Sequence, residues 1–254
     1  MKKYILGIAA GILLNGMAFG QEYKLNKNSG TLDIREVNNV SIEGHAGSEI
    51  IFRSQDDHRE RDDRAKGLRA ISSIGLEDNT QIGLSVVEKG DVIEVRQLKK
   101  MDGPDIKILV PKNVAISYYH TSPHGHEIEI KNFDGQVEIS TVHNGVELEN
   151  VTGPVKINTV HGDVDGAFGA QPKSPISIES IHGHVDIALP VATKANLKLS
   201  TNLGEILVDP DFKINIEKSG DMVKYSDNVS GKINGGGVDI NLSATHNNVY
   251  LREK

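Results

Sequence analysis

Four histidines carry the most specific chemical signal in this sequence. His143, His161 and His182 each precede an Asn or Gly by one residue, and His184 lies two residues beyond His182. Imidazole nitrogens bind Zn²⁺ and Cu²⁺, so these four residues are the candidate metal ligands. The alternative is a structural stack of imidazoles along one edge of the fold. Neighbouring strands lie about 4.8 Å apart, which is wide for two ligands that share one metal. The stack is therefore favoured, and no cofactor is expected.

A second group of histidines, His120, His124 and His126, lies in a segment rich in Ser, Pro and Gly. Loop histidines that lack cysteines or spaced carboxylates around them are typically exposed, so no metal is expected there. Calcium-binding nine-residue repeats require paired glycines and an Asp at a fixed offset. The closest approach, at 161–166, does not recur, and calcium is not expected either.

Carboxylates that point outward from neighbouring strands are the remaining candidates for chemistry. Asp163, Asp165 and Asp186 would provide the paired acids that a polysaccharide lyase or hydrolase requires. Any acidic stack of strands would meet that requirement, so the pattern has little specificity. The sequence contains no G-x-S-x-G, H-E-x-x-H or P-loop motif, and it has no cysteine. We therefore expect that the protein is not an enzyme.

The four candidate metal ligands and the three aspartates lie in a repeat of nine residues. Each unit is a short apolar strand followed by a bend that ends with Gly or Asn, one variable residue and the next apolar strand. The first strand residues recur with this period over Glu127 to Asp209: Ile128, Val137, Val146, Val155 and Val164, then Ile176 to Val185, and Leu197 to Ile206. Alternation predicts Val137 and Ile139 inside and Glu138 outside. The bend Gly or Asn is expected at positive φ.

A unit of this length buries its apolar face only by stacking against further units. The expected fold is all-β, a parallel β-solenoid with two units per coil, or three in the alternative. The residue before the bend Gly or Asn supports two units, because Asp134, His143, Thr152 and His161 alternate in type. In later units the same position is occupied by His182, Leu203 and His246.

The chain divides into three predicted parts. Residues 1–20 are typical of a signal peptide, with Lys2 and Lys3 before a short apolar core and small residues at Ala18 and Gly20. Residues 21–126 form an N-terminal β region that caps or extends the solenoid. Residues 127–254 form the repeat region, with an insert near 209–229 that suggests a hairpin of 212–216 and 222–225. The mixed-sign run at 55–66 is expected to be a solvated loop or a short exposed helix.

Charge and composition argue against several classes of binding partner. The formal net charge is −7, which argues against nucleic acid and anionic membrane surfaces. Trp is absent and aromatic residues make up 4% of the chain, so a sugar cleft built on aromatic faces is disfavoured. The absence of cysteine fits an exported protein without disulfides. The apolar run near the N-terminus is short for a transmembrane span, and none is expected after cleavage.

Several motifs resemble a known family. The Thr-Val-His bends at 141–143 and 159–161, the opening strands from Leu32 to Gly44, and the strand from Ile106 to Pro111 are similar to the bacterial putative adhesin family with β-strand repeats, domain of unknown function 4097. The resemblance covers roughly Gly30 to Leu251. It implies an exported β-solenoid with a surface or adhesive role, and it implies no catalytic residues.

The expected function is therefore that of an exported, non-enzymatic binding module in the periplasm, at the cell surface or in the medium. Its partner would be an extended glycan, a matrix component or an envelope protein. A structural or signalling-accessory role in the envelope is the alternative, and a polysaccharide-active enzyme is the third possibility.

Overall fold

A computed structural model describes residues 22–55, 63–65, 67–216 and 227–254. The predicted signal peptide, most of the charged run at 55–66 and the predicted strand at 222–225 lie outside these ranges. Within them the structure is all-β, as predicted, apart from one short 3₁₀ helix at Asp63–Ala65. No helix in the described ranges has the length and apolar character needed to cross a membrane.

The strands form two sheets. The first sheet contains ten described strands: β1 (Glu22–Leu25), β3 (Asn39–His45), β4 (Ile50–Ser54), β7 (Asp105–Pro111), β9 (Ile128–Lys131), β11 (Val146–Glu149), β13 (Val164–Ala167), β15 (Val185–Leu189), β17 (Ile206–Val208) and β21 (Val249–Glu253). The second contains eleven: β2 (Gly30–Arg35), β5 (Leu84–Lys89), β6 (Val92–Gln97), β8 (Val114–His120), β10 (Val137–Thr141), β12 (Val155–Thr159), β14 (Ile176–Ser180), β16 (Ala195–Thr201), β18 (Ile214–Ile216), β19 (Asp227–Ile233) and β20 (Val238–Ala244).

Consecutive strands of the repeat alternate between the two sheets, so the fold is a stack of layers. We call one strand of the second sheet, the following strand of the first sheet and the bend between them a layer. The described layers stack in the order β6–β7, β2–β3, β8–β9, β10–β11, β12–β13, β14–β15, β20–β21 and β16–β17. Pairing between layers is parallel and in register: Val137 lies opposite Val155, and Val146 lies opposite Val164.

Two layers stand out of chain order. The layer β2–β3 lies between β6–β7 and β8–β9, although it precedes both in the sequence. The layer β20–β21 lies between β14–β15 and β16–β17, although it follows both. Segments near each end of the chain are thus inserted into the stack. Strands from 22–126 and from 127–254 belong to the same two sheets.

Antiparallel strands flank the stack. In the part of the chain that the structure describes, β5 adds to β6, while β4 and β1 continue the first sheet beyond β7. At the other end β19 pairs with β16 and β18 pairs with β19. Both described sheets are therefore mixed. The second has antiparallel strands at both ends, whereas the first has them at one end and finishes at the other with the parallel strand β17. The segment predicted as an insert contributes β18, which pairs with β19, and the predicted partner strand at 222–225 lies outside the described residues.

The core lies between the two sheets, as the alternation predicts. Val137, Ile139 and Val146 are buried, whereas Glu138 and Glu147 are exposed. The same column of apolar side chains continues through every layer, because in-register pairing places each inward residue on its equivalent in the next strand. The stack therefore has one continuous hydrophobic core.

The bend glycines differ from the prediction. None of Gly153, Gly162, Gly183 and Gly204 has a positive φ, and the prediction of positive φ at these positions was wrong. Their role is close approach: a Cβ on any of them would lie 2.1 Å from a carbonyl oxygen of the neighbouring bend. Positive φ occurs instead directly after a strand, at Asn132 and Asn150, on the edge that also carries Gly153.

Replacing Gly162 by Ala is expected to destabilise the protein by about 1–3 kcal/mol, because the new methyl group collides with the Asn144 carbonyl and forces two layers apart. The free energy of unfolding in urea measures this loss. Gly90→Asn is the matched control: Gly90 has a φ of 65° and open space around its Cα, and Asn tolerates that conformation. Equal losses in the two variants would contradict the role assigned to Gly162.

Candidate functional site

One edge of the stack carries the histidines. It is formed by the bends that lead from the second sheet to the first, at 142–145, 160–163, 181–184, 245–248 and 202–205. Strand pairing continues one step into these bends, since the backbone N–H of His161, His182 and His246 donates to the carbonyl of residue 142, 160 and 181. Equivalent bend residues are thereby held above one another at the strand spacing.

A column of buried hydroxyl groups fixes the bends from inside. Ser180 is the clearest case: its Oγ donates to the Gly162 carbonyl at 3.0 Å and accepts the Gly183 N–H at 2.9 Å. Thr141, Thr159 and Thr201 occupy the same position in other layers and cap their own bends in related ways. The Thr-Val-His motif therefore has a structural basis, in which the hydroxyl closes the turn and the imidazole faces solvent.

The predicted imidazole ladder exists and has four members. Ring centroids of His143 and His161 are 5.4 Å apart with planes at 12°, and those of His161 and His182 are 4.8 Å apart at 8°. His246 follows at 4.6 Å, with its ring perpendicular to that of His182. All four side chains are exposed. His246 lies next to His182 because β20–β21 is inserted beside β14–β15.

Parallel rings present their nitrogen lone pairs in parallel directions, so the pairs do not converge on one point. A metal about 2.1 Å from each of two nitrogens needs those nitrogens within about 4.2 Å of each other. The stacked geometry of His143, His161 and His182 therefore fits ring packing better than metal ligation. His184, the fourth candidate, points away from the ladder toward the first sheet.

His184 lies between two carboxylates. Its Nδ1 is 3.0 Å from Asp163 and its Nε2 is 3.1 Å from Asp165. Asp186, on the next strand, accepts from Arg252 Nε at 2.7 and 2.8 Å. All three acids considered for catalysis are thus engaged by a histidine or an arginine.

The second histidine group does not converge. His120 is fully buried, whereas His124 is half-buried and His126 is exposed. The His120 ring stacks on Tyr118 at 6.0 Å, and its Nε2 donates to Asn38 Oδ1 at 3.1 Å. Burial lowers the pKa of His120, and the charge of Glu36 opposes this only in part. The prediction that loop histidines are exposed was therefore wrong for His120, which occupies an inward position on β8.

One cluster of possible ligands was not predicted. Within the described ranges, Asp209, Asp211 and Glu253 are the one group of three or more such side chains whose ligand atoms lie within 4.8 Å of one another. Asp211 and Asp209 raise the pKa of Glu253. The pairing of β17 with β21 brings these residues together, and no sequence spacing indicates it.

The fold and this edge define a layered, all-β repeat protein. The chain belongs to the Toastrack DUF4097 family, whose model matches residues 15–252, and this confirms the resemblance seen in the sequence.

Two solved structures are similar at low identity. A putative cell adhesion protein from Clostridium sporogenes ATCC 15579 is 11% identical, with a TM-score of 0.44, over 92% of this chain and 99% of that one. A putative adhesin from Bacteroides fragilis NCTC 9343 is 10% identical, with a TM-score of 0.33, over 92% and 96%. No curated protein matches the chain.

Zinc or copper added to untagged protein is not expected to bind stoichiometrically at the histidine ladder, because the parallel rings do not present converging nitrogens. Isothermal titration of the native chain and of His161→Phe, which retains a stacking ring, measures this. One equivalent of metal bound by the native chain and lost in His161→Phe would establish a metal site.

His120 is expected to make stability fall on acidification. Its folded-state pKa is below the ordinary 6.5, so the unfolded chain takes up a proton that the fold excludes. The contribution is constant above about pH 6.5 and is lost as the pH falls toward the folded-state pKa, by up to about 1.4 kcal/mol per pH unit.

Urea unfolding at pH 7.5 and 5.0 should therefore show a smaller acid loss for His120→Gln than for the native chain. Titration of the His120 ring protons by NMR checks the pKa directly, also if that variant does not fold. A midpoint at or above 6.5 would contradict the assignment.

Proposed function

We infer that the layers are the coils of a β-solenoid with two nine-residue units per coil. The in-register pairing of Val137 with Val155 and of Val146 with Val164 supports two units, since each partner lies eighteen residues along the chain. A coil of three units would pair residues twenty-seven apart. The ten and eleven strands of the two described sheets provide two long faces at the layer spacing.

We propose that the protein is an exported, non-enzymatic binding module that holds an extended ligand at the cell surface or in the envelope. The observation that carries this proposal is the open outer face of the stack. Glu138, Lys156, Ser177 and Asn241 follow one another on β10, β12, β14 and β20, and all four are exposed. A repeated, uncovered surface suits a ligand that repeats along the same axis.

The carboxylate geometry supports a binding role over an enzymatic one. A glycosidase needs one acid free to donate a proton and a second free to act as base or nucleophile. Asp163 and Asp165 both face His184, and Asp186 faces Arg252. Export is proposed from the signal-like sequence at 1–20 and from the absence of cysteine.

The test is retention of extended material on immobilised protein. The chain from Gln21 onward, coupled to beads, should retain insoluble glycan, extracellular matrix or envelope fractions. Beads coupled to an unrelated acidic protein of similar size should not. Absence of retention from all three fractions would overturn the binding role and leave the structural or signalling-accessory role.

The same protein preparation also tests whether the protein is a catalyst. Incubation with acidic polysaccharides is expected to release no new reducing ends. Release that disappears in Asp163→Ala would establish the polysaccharide-active enzyme instead.

A further inference from the structure

The two edges of the stack differ in a way that the repeat does not indicate. The bend position that the sequence pattern treats as apolar is filled on one edge by Phe133 and Val151, which are fully buried. On the histidine edge the equivalent residues are Val160 and Ile181, and they remain at the surface, with Ile181 37% exposed. Apolar side chains are therefore left uncovered in a column on this edge alone.

That column forms one wall of a cleft of about 340 Å³ that runs across the layers. Val142, Val160 and Ile181 make the apolar wall. Polar residues of the second sheet, one from each of three neighbouring strands, make the opposite wall: Ser140, Asn158 and Glu179. Tyr119, which is 44% exposed, closes one end.

A second concavity of about 310 Å³ lies on the other side of Glu179, over Ser177 and Asn241. It shares Glu179 with the first and extends over Ser243 and Ser200 on β20 and β16. The first cleft crosses β8, β10, β12 and β14, which at the strand spacing makes a groove about 14 Å long. The direction of the groove is perpendicular to the strands, so the main-chain hydrogen-bonding groups of the sheet cannot recognise its occupant.

Recognition must therefore come from side chains that repeat once per layer. Over the first cleft each layer provides one apolar contact and one polar contact. A β-linked pyranose chain has the same character, since each ring has an apolar face and a hydroxylated rim, and each ring is about as long as the gap between two strands. An extended peptide alternates its side chains with a different period and would not match one contact pair per layer.

The charges of the groove select among glycans. Among the residues that line the first cleft, Glu179 is the one carboxylate and none is Lys or Arg, whereas Lys198 lines the adjoining second concavity. No ion pair or side-chain hydrogen bond joins Glu179 to another described residue. A carboxylate with open acceptor positions suits hydroxyl or amide donors and repels anionic sugars. The whole chain has a net charge of −7, which adds to that repulsion.

We propose that this groove binds an uncharged, β-linked glycan, one sugar per layer, with Glu179 accepting hydrogen bonds from it. The inference rests on the proposed binding role and deepens it. Aromatic scarcity does not oppose it, because the valine and isoleucine column takes the part of the aromatic platform and Tyr119 provides the one ring.

The test uses defined oligosaccharides and the folded chain from Gln21 onward. Cellohexaose and chitohexaose are titrated while amide shifts are followed by NMR, with the corresponding trisaccharides and an oligogalacturonate as comparisons. One of the neutral hexasaccharides should shift the amides of 140–142 and 158–160. It should bind more tightly than its trisaccharide and more tightly than the anionic chain.

Variants locate the binding. Glu179→Ala should weaken the affinity about tenfold, since it removes a charged acceptor. Glu147→Ala is the matched control, since it removes an exposed carboxylate on the first sheet, and it should leave the affinity unchanged. Both positions are exposed, and equal unfolding midpoints confirm that the fold is intact.

The inference is overturned if neither hexasaccharide shifts the groove amides, or if Glu179→Ala leaves the affinity unchanged. Preference for the oligogalacturonate over both neutral hexasaccharides overturns it as well. Failure of the groove proposal can be distinguished from failure of the proposed binding role. Retention of matrix or envelope material that survives Glu179→Ala keeps the proposed function and rejects this groove.

Discussion

The structure depends on one interaction, the parallel and in-register hydrogen bonding between successive layers. Because the register does not slip, every position of the repeat lies directly above its equivalent. One backbone pattern therefore produces several columns at once: apolar residues inside, hydroxyl groups beneath the bends and imidazoles at the solvent edge. Each column is locally simple, and none of them needs a ligand to exist.

Much of this order is readable in the sequence. The nine-residue period predicted the strands, and the alternation within them predicted which side chains are buried. Histidine recurs at every second bend in the series Asp134, His143, Thr152 and His161, and this recurrence predicted that the histidines share one edge. These inferences succeed because they concern neighbours within one or two units, where sequence spacing translates directly into position.

The rest depends on contacts between distant segments. Periodicity describes what a unit looks like, and it does not say which unit lies beside it. The positions of β2–β3 and β20–β21 were therefore not predictable, and neither was the contact of His246 with His182. The reason for glycine in the bends was not predictable either, because the atom that excludes a Cβ at Gly162 belongs to another layer. The groove beside Val160 was not predictable for the same reason, because the sequence does not indicate that the apolar bend residues are buried on one edge and exposed on the other.

The inserted layers have a mechanical consequence. A load applied near the last strand, β21, acts on a segment that hydrogen-bonds to β15 on one side and to β17 on the other. Such a strand cannot be peeled from a free margin, and two ladders must shear together before the chain extends. The segment near the other end, β2, is held in the same way between β6 and β8. Tension that reaches β2 or β21 is thus borne by strands that are paired on both sides inside the stack.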